Sequence, residues 1–321
     1  MTADSPLPAD SPLPAESPLP ADSPLPAESP LPDGVAPQVP FGTRLAAALD
    51  QRGPLCVGID PHPGLLTAWG LQDDPAGLRD FALRVVDALA DRVAAIKPQS
   101  ALFERHGAAG FAVLEEVLAA CRQAGVLTVL DVKRGDIGST MAGYAQAYLD
   151  DGAPLAADAV TLSPYLGLGS LAPAVELAHA TGRGVFVLAL TSNPEGAAVQ
   201  HALGPDGRAV AAAIVDGVGA LNAAGPVGEG LGSVGLVVGA TTGSAVRDLE
   251  IDLAASQAPL LVPGVGAQGA GRAEVAAVFA GAEHAVLAST SRAVLGAGPR
   301  ASGLREAAAA TAAEVREALG R

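Results

Sequence analysis

From Phe41 onward the chain alternates short runs of Val, Leu, Ile and Ala with longer segments whose apolar residues recur at helical spacing. The short runs, at 55–60, 93–98, 126–133, 157–163, 184–192, 234–240, 259–266 and 284–290, are apolar throughout rather than alternating. Parallel strands covered by protein on both faces have this composition. Helix-length segments lie at 78–92, 109–123, 140–149, 171–180, 209–223, 273–280 and 304–319. Eight strands separated by helices predict an α/β chain folded as a single (β/α)8 barrel. An open doubly wound sheet competes with it, but no Gly-x-Gly-x-x-Gly follows the first strand.

The polar residues fall at one end of this pattern. Asp60, Lys97, Asp131 with Lys133, Ser163, Ser192, the Gly264-Val-Gly-Ala-Gln268 loop and Ser291-Arg292 all sit at the C-terminal ends of predicted strands, where barrel enzymes build their sites. Residues i and i+2 of a strand share a face, so Asp131 and Lys133 are expected to project together into the barrel mouth. Lys97, on the neighbouring strand, would come alongside, and Asp136 follows just beyond the third strand.

Composition sharpens the interest in the two lysines. The chain carries 19 basic side chains, and only Lys97 and Lys133 among them are lysine. An ammonium can be tuned by its surroundings to exchange a proton near neutral pH, whereas a guanidinium stays charged. Lysine kept beside carboxylates therefore points to proton transfer. A purely structural ion-pair network is the alternative, and charges at an open barrel mouth add little to fold stability.

The first 40 residues have a different character. Asp4-Ser-Pro-Leu-Pro-Ala is followed by near-copies starting at Asp10, Glu16, Asp22 and Glu28, and the repeat holds 10 of the 26 prolines. Residues 1–40 are expected to be a disordered, extended tail and 41–321 the catalytic barrel. The formal charge is −15, of which six negative charges belong to the tail, leaving −9 for the barrel. A phosphate could still be held there by a local arginine and backbone N–H groups. Nucleic acid is not an expected partner, because the chain has no basic run and only 3% aromatic residues. No apolar run is long enough to span a bilayer, and the N-terminus lacks the basic start and hydrophobic stretch of a signal peptide. Cys56 and Cys121 lie in apolar contexts without Cys-x-x-Cys spacing, as expected for packed thiols in a cytoplasmic protein. The five histidines show no metal-ligand spacing, and His62 lies nearest a strand end.

Asp131-Val-Lys133-Arg-Gly-Asp136-Ile-Gly-Ser-Thr140 closely resembles the signature of the orotidine 5′-phosphate decarboxylase family. Gly58-Ile-Asp60-Pro-His, Ile96-Lys97-Pro-Gln, Ser163-Pro-Tyr-Leu-Gly, Thr191-Ser192-Asn-Pro-Glu-Gly and Val262-Pro-Gly-Val-Gly-Ala-Gln268 are similar to the version found in many actinobacteria. The resemblance runs from about Phe41 to the C-terminus. It implies loss of CO₂ from orotidine 5′-phosphate to give UMP, the last step of pyrimidine nucleotide synthesis, with no cofactor and no metal. It further implies that Lys133 donates the proton, and that Asp131, Lys97 and Asp136 hold it charged and oriented. Asp60 would hold a ribose hydroxyl, Ser192 the pyrimidine edge, and Gln268 and Arg292 the phosphate with help from the backbone at Ser291. Asp136 and Thr140 would be contributed across a homodimer interface. The Gly-Ser before Thr140, where many relatives have Pro-x, and Ser291, where they often have glycine, are departures.

Two rival readings compete with this one. One is an Mg²⁺-dependent phosphosugar decarboxylase or aldolase with a similar Asp-x-Lys-x-x-Asp core, against which Lys97 argues, because an ammonium beside the carboxylates competes with a metal. The other is an interaction protein using its proline-rich tail, supported only by the single Pro37-Gln-Val-Pro40.

Overall fold

In the computed structural model, which describes residues 38–226, 230–265 and 270–321, eight strands close a parallel barrel in sequence order. They are β1 (Leu55–Ile59), β2 (Ala95–Pro98), β3 (Leu127–Arg134), β4 (Ala159–Leu162), β5 (Gly184–Leu190), β6 (Val234–Val238), β7 (Leu260–Pro263) and β8 (Val286–Thr290). β8 pairs back onto β1 from Leu55↔Ala288 to Val57↔Thr290. The (β/α)8 architecture read from the periodicity is thus the observed one. Every residue of β1, β2, β4 and β6 is buried, because helices cover the outside while side chains fill the interior.

The helix Pro75–Leu89 shows how local sequence sets the outer layer. Asp74 caps it by accepting the Gly77 N–H at 2.8 Å, and Pro75 occupies the first turn, where its missing N–H costs nothing. Leu78, Phe81, Ala82, Val85 and Leu89 recur at helical spacing on its buried face, which packs on the helices Gly107–Ala124 and Ala301–Ala318. Burying each large side chain contributes about 1.5–3 kcal/mol. Phe81 also meets Trp69 at 4.3 Å between ring centroids, so truncating it would open the centre of this layer.

The longest helix not anticipated lies ahead of the barrel. Phe41–Arg52 precedes the first strand and packs against the starts of β4, β5 and β6. Phe41 is fully buried edge-on to Phe186, and a Cβ at Gly184 would meet its ring at 2.2 Å. Arg44 pairs with Asp158, whose carboxylate also accepts the Thr128 N–H and hydroxyl. An alternation of strands and helices does not demand a helix ahead of the first strand, so this closing element follows from long-range packing alone. Residues 38–321 form one unit; the repeat, and hence most of the expected 1–40 segment, lies outside the described residues.

Strand register brings the chemistry to one level. Gly58 lies opposite Lys97 across β1 and β2, and Gln99 forms a parallel bridge with Asp131 just past β2. Asp60, Lys97 and Asp131 therefore converge at the C-terminal mouth.

Candidate active site

Asp131 is the hub of the mouth. Its Oδ2 accepts from Lys97 Nζ at 3.0 Å and Gln99 Nε2 at 3.1 Å, while its Oδ1 accepts from Lys133 Nζ at 2.5 Å and the Thr161 hydroxyl at 2.9 Å. These four donors use the acceptor capacity of one carboxylate. The side chains of Lys97 and Asp131 are each 8% exposed, and that of Lys133 is 46% exposed. Burial alone would push the Asp131 carboxyl up, but the charges and hydrogen bonds of Lys97 and Lys133 outweigh it and bring its pKa down to about 2. Burial likewise opposes charge on Lys97, and Asp131 and Asp60 overcome it, holding its pKa above the ordinary lysine value. Asp131 and Lys97 are therefore both ionised at neutral pH, with the exposed ammonium of Lys133 facing the opening.

The sequence placed Asp131 and Lys133 on one face by strand alternation, and they do meet, but through a different backbone. Lys133 has φ 47°, a left-handed conformation uncommon outside glycine. Between the pairs Leu130↔Val160 and Arg134↔Leu162, β3 carries three residues where β4 carries only Thr161. This bulge turns the lysine back over Asp131. The following residue, Arg134, points elsewhere and pairs with Glu104 at 2.7 Å, so adjacent basic residues divide the work between site and scaffold.

The other expected residues occupy the rim. Asp60 Oδ1 is 4.0 Å from Lys97 Nζ and is buried without a hydrogen-bond partner among the described residues. Ser291 reaches over β1: a Cβ at Gly58 would meet its Oγ at 2.1 Å and Asp60 Oδ1 at 2.9 Å, so only glycine allows this approach. Arg292 begins the short helix Arg292–Leu295 and is exposed. Ser192 is exposed at the end of β5, beside Gly239. Gln268 lies outside the described residues.

Asp136 does not join the array within one chain. Its Oδ1 accepts the Ile137 N–H at 2.8 Å, and among the described residues Lys133 pairs with Asp131 alone. Thr140 is exposed on the helix Gly138–Leu149, next to Ile137, which is 62% exposed.

Two neighbouring hollows make up the opening, one of about 280 Å³ over Lys97, Asp131, Thr161 and Ser291, and one of about 410 Å³ reaching past Gln99 to His62. Sequence reasoning missed Thr161 and Gln99 as parts of the array. Gln99 stands in a quoted motif and could have been found from its place two residues after Lys97; Thr161 carries no local signal. Among the described residues no group of three or more His, Cys, Asp or Glu side chains could hold a metal ion. Cys56 and Cys121 are buried free thiols, each pushed up to about 12 by burial.

A closed (β/α)8 barrel with lysines and carboxylates interleaved at its C-terminal mouth has the layout of a barrel enzyme, whose site lies at that end of the strands. Within that class the chain belongs to the Orotidine 5′-phosphate decarboxylase / HUMPS family, whose model matches residues 53–307. It is 59% identical over 279 residues to the orotidine 5′-phosphate decarboxylase of Salinispora tropica, covering 87% of this chain and 98% of that one. The Streptomyces coelicolor enzyme of the same name is 56% identical over 281 residues, with the same coverage. A solved Streptomyces avermitilis structure assigned to that activity superposes with a TM-score of 0.84 at 55% identity, covering 89% of this chain and 98% of its own. Leishmania donovani OMP decarboxylase superposes at 0.68 with 31% identity, covering 88% and 100%.

Proposed function

We propose that this chain converts orotidine 5′-phosphate to UMP and CO₂ in pyrimidine biosynthesis, using its own side chains without a cofactor. The observation that carries the reading is the Lys97–Asp131–Lys133 array at the barrel mouth. With the C6 carboxylate of the substrate over Asp131, the bond from C6 to the carboxylate breaks, CO₂ leaves, and the electron pair stays on C6. Lys133 Nζ then gives its proton to that carbon and is recharged from water. The ammonium groups stand in place before charge develops, so the transition state needs little reorganisation of the site. Asp60 serves the ribose hydroxyls, Ser192 the base edge, and Arg292 with Gln268 and the Ser291 backbone the phosphate. Phosphate sites after the last two strands are a general feature of this barrel.

The same reading makes the enzyme a cytoplasmic homodimer with Asp136 and Thr140 completing the neighbouring subunit's site. The support is that Asp136 stays out of its own chain's array while Ile137, Tyr165 and Leu166 expose large apolar surfaces nearby. Among the described residues no helix is long and apolar enough to cross a membrane.

A magnesium-dependent sugar phosphate lyase is disfavoured by Lys97, which is buried against the carboxylates a divalent ion would need. Release of CO₂ from orotidine 5′-phosphate by the purified protein, unchanged by EDTA, is the deciding assay. No turnover overturns the reading, and turnover abolished by EDTA revives the alternative.

A further inference from the structure

We infer that Thr161 is a positioning residue, whose single hydroxyl both sets the backbone under Lys133 and orients the carboxylate that Lys133 faces. The inference rests on the proposed role of Lys133 as proton donor. Thr161 Oγ1 accepts the N–H of Val132 at 3.0 Å and of Lys133 at 2.9 Å, and it donates to Asp131 Oδ1 at 2.9 Å. A hydroxyl has one proton and two lone pairs, and all three are used. The direction of the O–H bond follows: the two amides can only donate, so the proton must point at the carboxylate.

These contacts sit at the irregularity in the barrel wall. In an unbroken ladder, successive N–H groups of β3 would not converge on one atom of β4. Here Asp131, Val132 and Lys133 together face Thr161, and the Val132 and Lys133 amides turn toward the same oxygen. A left-handed lysine persists only where the surroundings over-determine it. Thr161, 1% exposed and packed within β4, supplies that constraint from a rigid strand. Asp131 Oδ1 is shared between the Thr161 hydroxyl and Lys133 Nζ, so the threonine also fixes which edge of the carboxylate remains for the lysine. Valine has nearly the same shape but would leave both amides without an acceptor and free the carboxylate to rotate.

The test compares wild type, Thr161→Val and Thr161→Ser in steady-state decarboxylation, with thermal melts on each. Displacing a reacting group by about an ångström costs on the order of 100-fold in rate, so Thr161→Val is expected to lower kcat by ~10- to 100-fold with KM changed by less than ~3-fold. Thr161→Ser, which keeps the oxygen, is expected to retain kcat within ~3-fold of wild type. If Thr161→Val does not fold, Thr161→Ala against Thr161→Ser repeats the comparison with smaller side chains. A hydroxyl-free variant with wild-type kcat, or serine and valine variants impaired alike, overturns the inference. Wild-type protein without turnover overturns the decarboxylase reading and this inference with it.

Discussion

Lys97 Nζ and Asp131 Oδ2 lie 3.0 Å apart at the end of two adjacent strands, both almost wholly buried, with Lys133 on the other oxygen of the same carboxylate. Asp60, 4.0 Å from Lys97, adds a second carboxylate, so the two cations and two anions balance and the Lys133 side chain is the one that faces the opening. In the proposed reaction this puts a proton-bearing group at the opening, where the carbon that loses the carboxylate would receive it. It also separates two lysines of the same chemistry by depth: one is locked into the wall and the other is at the surface of the cavity.

Lys133→Ala is expected to lower kcat by at least ~1,000-fold, the upper range for loss of a positioned proton donor. Its half-exposed side chain supports no core packing, so the thermal midpoint should fall less than on loss of the buried Lys97. Residual turnover near wild type would remove the lysine from the chemistry.

Asp131→Asn should abolish turnover and make stability less pH-dependent. The Asp131 carboxyl titrates at about 2 when folded against an ordinary 3.8, so it stabilises the fold above pH 3.8 and loses that contribution as pH falls toward 2. The difference amounts to about 2 kcal/mol. Urea unfolding of both proteins should show the largest gap near neutral pH and a shrinking gap below pH 3.8. A gap independent of pH would show that the carboxylate is not held by its cations.

Lys97→Met should be costlier to the fold than Lys133→Ala: each leaves Asp131 with one cation fewer, but Lys97 is the buried partner and also faces Asp60. Breaking a buried pair costs about 3–5 kcal/mol, and the remaining partner Lys133 places this variant at the low end. Chemical denaturation of the two variants side by side checks the order, and equal losses would contradict the separation by depth.

Gly58→Ala should push Ser291 off β1, since the new Cβ would sit 2.1 Å from its Oγ. Overpacking of this kind costs about 1–3 kcal/mol. The expected signature is a raised KM for orotidine 5′-phosphate, partly rescued by adding Ser291→Gly. A double variant no better than the single one would place the clash elsewhere.

Mixing Lys133→Ala and Asp136→Ala chains tests the shared site. Each is expected to be nearly inactive alone, whereas random reassortment of a two-fold dimer regenerates about a quarter of the intact sites. No recovery on mixing would confine Asp136 to its own subunit.

Much of this protein was determined by the sequence by itself, for reasons of local physics. Uniformly apolar runs at regular intervals leave few alternatives to a covered parallel sheet, and polar residues collected at the strand ends mark the mouth. Lys97, Asp131 and Lys133 were legible because two scarce lysines stand in register with carboxylates. The tertiary structure alone decided the rest. Thr161 looks like any β-branched strand residue until the β3 bulge brings two amides and a carboxylate to its hydroxyl. Gly58 has meaning only when the end of β8 closes over it, and the helix Phe41–Arg52 has its role only when strand starts far along the chain assemble beneath it. Periodicity reports which face of an element is buried. It does not report which atoms meet there, because those meetings depend on barrel closure between residues distant in sequence.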